Sequence, residues 1–383
     1  MNAADNQRGP KSPNLDNLTL SRKEGWRDYV EAPKRVRPEE LSRRQIRRLS
    51  EEAADNYNQR RADWHNNIGP LRTPQLAALH EDLWDIMDSS TQDGNHAKGA
   101  VALEGYPGLG KTCAAEAFAK EFHKREILRH GAFTAAGNER WPVCRIGMRG
   151  NTSMKDFSRA LCEYYAHPGQ RGTTIELGQR ALDSVLSCET RLLIIDDLHF
   201  LHWQRSGGVE ISNHFKYIAN EFPLTLFFIG IGLDERGVLM EDLASSSDSA
   251  DYQAIRFEQT ARRTTMLQMR PYRLTNDKER RQWNTLVATV EERLILGSKR
   301  PGMLTDDLSE YLYTRSTGHI GSLMELIRRG CARAVRTGGE ALSRELFDTI
   351  KIDSAAEKAR KELDAAFRTR RLHTRTTGQR RAS

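Results

Sequence analysis

Cysteine is scarce in this chain: Cys113, Cys144, Cys162, Cys188 and Cys331 are the only five, scattered and without a C-x-x-C pair. That spacing offers neither a zinc site nor a disulfide framework, and it predicts reduced packing residues. Long apolar runs are missing as well. No segment reaches the roughly 18 uninterrupted apolar residues of a membrane span, and the polar N-terminus has no signal-peptide core. These absences predict a cytoplasmic protein with no membrane partner. No internal repeat is present, nor a C₂H₂ finger or similar base-reading module, so sequence-specific DNA targeting by this chain alone is not expected. At 383 residues the chain exceeds the about 250–300 residues at which single cores stop growing, which predicts two domains with extensions.

What is present is a phosphate-loop pattern. Gly105-Tyr106-Pro107-Gly108-Leu109-Gly110-Lys111-Thr112 fits G-x-x-x-x-G-K-[ST] at every position. The apolar run Ala100 to Glu104 before it reads as a strand, and the Ala-rich run Cys113 to Phe122 after it reads as a helix, the context this chemistry requires. The glycines let backbone N–H groups close on a β-phosphate, and the helix start adds unpaired donors and partial positive charge. Lys111 is the expected bridge to the β- and γ-phosphates and Thr112 the expected Mg²⁺ ligand. Gly105, Pro107, Gly108, Leu109, Gly110, Lys111, Thr112 and Cys113 form the expected ATP-binding surface.

A second motif follows, its first acid, Asp196, 84 residues after Thr112. Arg191-Leu192-Leu193-Ile194-Ile195-Asp196-Asp197-Leu198-His199 is an apolar run ending in two carboxylates, the pattern of a buried parallel strand with an acid pair at its carboxyl end. Asp196 is expected to hold Mg²⁺ through water and Asp197 to orient or deprotonate the attacking water. The usual second acid is glutamate. Asp197 is one methylene shorter, which predicts slow basal hydrolysis and a long-lived ATP state.

Strand and helix patterns alternate around these motifs. Thr73-Pro74 opens a helix carrying Leu76, Leu79, Leu83 and Ile86. Pro142 to Met148 reads as a strand, Met154 to Tyr165 and Thr174 to Ser187 as helices, Ile211 to Ala219 as a helix, and Leu224 to Gly230 as a strand. The fold class is therefore α/β, a P-loop parallel sheet with its ligand at the strand carboxyl ends. From Leu274 the pattern is purely helical. The expected organisation is a flexible segment at 1–36, a charged helical extension at 37–66, an α/β nucleotide-binding domain at 67–273, a helical lid at 274–352 and a basic tail at 353–383. Charge is uneven: from Lys358 to Ser383 nine Lys or Arg oppose Glu362 and Asp364, a local +7 equal to the net charge of the whole chain. Such a turn-rich basic end is expected to be disordered, with nucleic acid or an acidic protein face as partner. The mixed charges at 37–61 predict a solvated helix.

An α/β phosphate-loop domain followed by a helical lid is similar to the AAA+ ATPases, and the run from Cys144 to Arg236 resembles the transposition ATPases of the TniB and TnsC kind. Asp196-Asp197-Leu198-His199 resembles their D-E-x-H strand end, Asn213 to Glu221 the helix after it, and Phe228-Ile229-Gly230 their fourth core strand. Arg262-Arg263, Arg270-Pro271-Tyr272-Arg273-Leu274 and Thr317-Gly318-His319-Ile320-Gly321-Ser322-Leu323 resemble their finger arginine, domain junction and lid helix start. The resemblance spans about residues 66–350. It implies ATP-bound subunits that form a ring or helical filament on double-stranded DNA and present it to a DDE-type transposase, with a target-selecting protein as a further partner. Arg262 and Arg263 become the candidate fingers acting in trans, an ordinary surface arginine being the alternative for each. Arg149, Lys155 and Arg205 become the candidate DNA contacts through phosphates. Two positions depart from the pattern: Ile231 stands where a polar sensor is expected, and Gly321 near where many lids carry a second sensing arginine. Both imply reliance on a neighbouring subunit. A helicase-loader or initiator type AAA+ ATPase and a nucleotide-switched signalling scaffold without DNA are the competing readings.

Overall fold

The computed structural model describes residues 15–92, 98–148, 153–197, 215, 217–233, 264–369 and 371–374. Strands are β1 Ala100–Glu104, β2 Val143–Gly147, β3 Leu192–Asp196, β4 Thr225–Gly230 and β5 Thr264–Gln268. The helices used below are α1 Lys23–Glu31, α2 Arg43–Ile46, α3 Glu51–Asn66, α4 Pro74–Ser89, α5 Lys111–His130, α6 Met154–Tyr164, α7 Thr174–Ser187, α8 Asp277–Arg293, α9 Ser309–Ser316, α10 Ile320–Arg336, α11 Arg344–Asp348 and α12 Ser354–Arg368. Two compact units result. The first takes in the described parts of Met1–Lys34, His80–Gly105 and Lys111–Gln268, the second those of Arg35–Leu79, Tyr106–Gly110 and Met269–Ser383.

The first unit is built on a parallel sheet of order β2-β3-β4-β1-β5. Every residue of β3 and β4 is buried, as expected for strands covered on both faces. The phosphate-loop strand and the acid-pair strand are thus separated by β4, with Glu104 of β1 in register with Gly230 and Ile195 of β3 with Phe228. Helix α5 buries Ala114, Ala115, Phe118, Ala119 and Phe122, and the Trp84 ring lies 4.7 Å from that of Phe118. It runs eight residues past the expected end at Phe122, through a charged last two turns. Capping boxes fix the starts of α6, at Ser153 with Asp156, and α7, at Thr173 with Glu176, each satisfying N–H groups that a helix start leaves open. Residues 215 and 217–221 are helical; Ile211 lies outside the described residues. The sequence reading contained no strand at 264–268. β5 is a half-exposed edge strand opening with two threonines, so it lacks the apolar run that marked the others.

The N-terminal segment, expected to be flexible, instead holds α1. Trp26 is fully buried, Val30 nearly so, and the Trp26 indole N–H donates to His123 Nδ1 at 3.2 Å. Lys120 Nζ donates to the Tyr29 carbonyl at 2.5 Å. Burial pushes the His123 imidazole down to about 4, so it accepts this bond as a neutral ring.

The second unit is helical. Its core gathers Trp283, Leu286, Leu312, Leu326, Ile327 and Phe347. A Cβ on Gly330 of α10 would stand 2.5 Å from Phe347 Cε1, so the missing side chain is what lets that ring pack against the helix. The expectation of a solvated helix at 37–61 fails at α3. Tyr57, Arg61 and His65, spaced by four, form a buried stripe on it. Arg61 makes a two-pronged ion pair with Glu340, Nη1 to Oε2 at 2.6 Å and Nη2 to Oε1 at 3.0 Å, while Gly297 N–H donates to Glu340 Oε2 at 2.9 Å. His65 Nε2 accepts from the Ile295 N–H at 3.0 Å. The chain end is corrected similarly: α12 occupies 354–368, its Ala356 is buried, Leu363 and Phe367 pack on the helical core, and Glu357 accepts from the buried Arg315 at 2.7 Å.

Candidate functional site

The phosphate loop leaves β1 at Gly105 and enters α5 at Lys111. Gly108 and Gly110 take φ of 76° and 82°, left-handed values that glycine adopts at no steric cost. Leu109 is buried while Tyr106, Pro107 and Cys113 are exposed, so Leu109 anchors the loop and its neighbours are open to solvent. Lys111 Nζ donates to the Gly105 carbonyl at 2.6 Å. Burial pulls the Lys111 ammonium below its ordinary value, against the opposing pull of Asp196, Asp197 and Glu104. The lysine is therefore held among carboxylates at the head of the sheet.

Asp196 is buried at the end of β3. Thr112 Oγ1 donates to its Oδ1 at 3.3 Å, and so does the Asp197 N–H at 2.9 Å. The two residues expected to serve Mg²⁺, Thr112 and Asp196, thus lie within hydrogen-bond distance of each other. Asp197 turns the chain with φ of 59°, a left-handed conformation that aspartate tolerates better than most residues, and it is exposed. After β4, Ile231 is half-exposed and places an apolar group where a hydrogen-bonding one was expected. A Cβ on Gly230 would meet Leu233 Cδ2 at 2.5 Å, so a larger residue there would require the Leu233 side chain to move.

Three residues of this cluster escaped sequence reasoning. Arg145 of β2 reaches Asp196 Oδ2 through Nη2 at 3.0 Å and Glu116 Oε1 through Nε at 3.0 Å. Burial raises the Glu116 carboxyl, on α5, from its ordinary value, with Arg145 opposing the rise. Glu104 Oε2 is buried with no hydrogen-bond partner. A signal existed for Arg145: a lone cation inside the apolar stretch Pro142 to Met148 must find an anion when the strand is buried.

In the second unit, the start of α10 touches the loop backbone directly. Gly321 N–H donates to the Gly108 carbonyl at 2.8 Å, and a Cβ on Gly321 would sit 2.6 Å from that oxygen. Gly321 therefore gives close approach at a place where a long side chain has no room. Lys155 is exposed in the first turn of α6. Arg149, Arg205, Arg262 and Arg263 lie outside the described residues, as do Leu198 and His199.

Thr112 and Asp196 fit Mg²⁺: a hydroxyl and a carboxylate side by side are hard oxygen donors that would hold the ion and let it neutralise phosphate charge. Among the described residues no helix is long and apolar enough to cross a membrane.

Residues 94–239 match the family described as AAA domain. No curated protein matches the chain in sequence. Among solved structures, the chain is similar to the ORC1 protein of Aeropyrum pernix in complex with DNA, at 16% identity and a TM-score of 0.51 over 79% of this chain and 69% of that one. It is also similar to the Aeropyrum pernix ORC2 protein in ADPNP-ADP complexes, at 14% identity and a TM-score of 0.50 over 77% and 69%. The parallel five-stranded sheet with its phosphate loop is an α/β AAA+ fold, and the match over residues 94–239 supports ATPase activity in that stretch.

Proposed function

We propose that this chain is an ATP-switched, DNA-binding regulator of DNA transposition, which oligomerises on duplex DNA and recruits or activates a DDE-type transposase at the target. The observation that carries the nucleotide half is the apposition of Thr112 and Asp196 at 3.3 Å, one residue past a lysine held among carboxylates. In this reading Lys111 exchanges the Gly105 carbonyl for the β- and γ-phosphates of ATP. The backbone from Gly105 to Cys113 encloses the phosphates, with Pro107 and Leu109 stiffening the turn between the glycines. Thr112 and Asp196 hold Mg²⁺, which supplies charge neutralisation at the phosphate oxygens when bound. Asp197 orients the attacking water, and Arg262 or Arg263 completes a neighbour's site as a finger in trans, so hydrolysis reports assembly.

The DNA half is supported by the residue patterns at 196–199, 213–221 and 317–323 and by the basic excess after Lys358. Arg149, Lys155 and Arg205 are the proposed phosphate contacts, with a target-selecting protein as a further partner. A second reading, a replication-initiator type ATPase, is favoured by the fold shared with an archaeal origin protein solved on DNA.

Binding to a long duplex of arbitrary sequence, measured with ATP, a slow-hydrolysing analogue, ADP and no nucleotide across a salt series, tests the proposal when the same samples are viewed by negative-stain microscopy. ATP-dependent filaments or rings whose affinity falls steeply with salt are expected. Equal binding in every nucleotide state, or none, would overturn the switch. Preference for single strands would move the assignment to the initiator reading.

A further inference from the structure

The second unit carries a groove that none of the motifs absorbs. It encloses about 450 Å³ between the C-terminal half of α10 and the segment after α11, and its lining includes Arg329, Arg333, Arg336 and Lys351 but no carboxylate. Arg329, Arg333 and Arg336 stand at i, i+4 and i+7, on one face of the helix. At 1.5 Å rise per residue they span about 10 Å, the axial length over which one strand of duplex DNA presents about three phosphates.

Two of these arginines are oriented by backbone carbonyls, and one of them, Arg333, makes no ion pair among the described residues. Arg333 Nη1 donates to the Thr349 carbonyl at 2.7 Å, and Arg329 donates to the Lys351 carbonyl. A carbonyl carries no net charge, so it orients a guanidinium and leaves the cation and its other N–H donors available. Among the described residues the acid paired with the stripe is Glu325, which is shared between Arg328 and Arg329. Arg336 and Lys351 make no ion pair or side-chain hydrogen bond among the described residues. Proximity to a helix C-terminus explains cations at Arg333 and Arg336, but not Lys351 on the opposite wall.

We infer that this groove is a second, sequence-independent binding site for the phosphodiester backbone of duplex DNA, separate from the loops after β2 and β3. The inference rests on the DNA-binding reading above. Guanidiniums already oriented lose little freedom on meeting phosphate, and Arg336 and Lys351 add charge that no ion pair among the described residues offsets.

The test uses the full chain with ATP and a labelled duplex of arbitrary sequence. Arg336→Gln with Lys351→Gln removes two cations that support no internal contact. Each phosphate contact contributes about 0.9 to the slope of log affinity against log salt, so the slope should flatten by about 1.8, with weaker binding at low salt. Arg44→Gln with Arg48→Gln, two exposed cations on α2 and just beyond it, should leave the slope unchanged. Wild-type binding with an unaltered slope in the groove variant would overturn the groove while leaving the DNA reading intact. An equal flattening in the α2 variant would reduce the effect to net charge and also overturn it. Single-stranded RNA competing better than duplex would overturn the choice of ligand, and no duplex binding by the wild type would sink both readings together.

Discussion

Both oxygens of the Asp196 carboxylate are engaged, Oδ1 by Thr112 and the Asp197 N–H, Oδ2 by Arg145. The Arg145 guanidinium thus supplies positive charge where a divalent cation is proposed to sit, and the two compete for one acid. Arg145→Met should lower the Mg²⁺ concentration needed for half-maximal binding of a fluorescent ATP analogue by about tenfold, the effect of roughly 1.4 kcal/mol of removed repulsion. A rise in that concentration would mean that Arg145 aligns the acid and does not compete for it. Asp197→Glu restores the missing methylene and should raise the single-turnover hydrolysis rate by about tenfold to a hundredfold; an unchanged rate would place the slowness elsewhere, Ile231 being the next suspect. The loop and acid pair were legible because each is a contiguous pattern. Arg145, Glu116 and Glu104 were not, since their relation exists only once β2, α5 and β1 are brought together.

Among the elements, α3 has the most to lose from a single change. Its Arg61 pairs with Glu340 where both side chains are almost wholly buried, and a buried charge stripped of its partner is costly. Glu340→Ala should destabilise the helical unit by about 3–5 kcal/mol in urea unfolding, whereas Arg61→Met with Glu340→Leu should recover most of that loss. If the double variant is as unstable as the single, the pair would be fixing geometry and not only satisfying charge. The buried strands β1, β3 and β4 and helix α7 were readable from continuous apolar or 3.6-residue patterns. α1 and α3 were not, because each buries a narrow stripe, Trp26 with Val30 and Tyr57 with Arg61 and His65, inside a strongly charged stretch. α12 was hidden similarly by its lysines and arginines, which mask Ala356, Leu363 and Phe367.

At the scale of the whole molecule, each compact unit has one buried neutral histidine among its described residues. Burial holds His65 and His123 down to about 4, and each accepts a hydrogen bond that protonation would remove. Below about pH 6.5 the unfolded chain takes up protons that the folded chain refuses until about pH 4, so stability is complete above 6.5 and declines with acid through that window, by on the order of 1 kcal/mol per pH unit for each ring. Thermal unfolding near pH 5 should therefore occur at lower temperature than at pH 7.5, and His65→Gln and His123→Gln should each flatten the dependence. A pH-independent midpoint in the wild type would refute this.

The placement of α3 also bears on how the protein can be cut. A fragment beginning at residue 67, ahead of α4 and the sheet that follows it, would lack Arg61 and His65. It would carry Glu340 as a bare carboxylate in an apolar setting, the Ile295 amide without its acceptor, and the surface that Tyr57 covers. Such a fragment is expected to aggregate on expression while a start ahead of α1, which also keeps the buried Trp26, yields soluble protein, even though everything removed lies outside the phosphate-loop motifs.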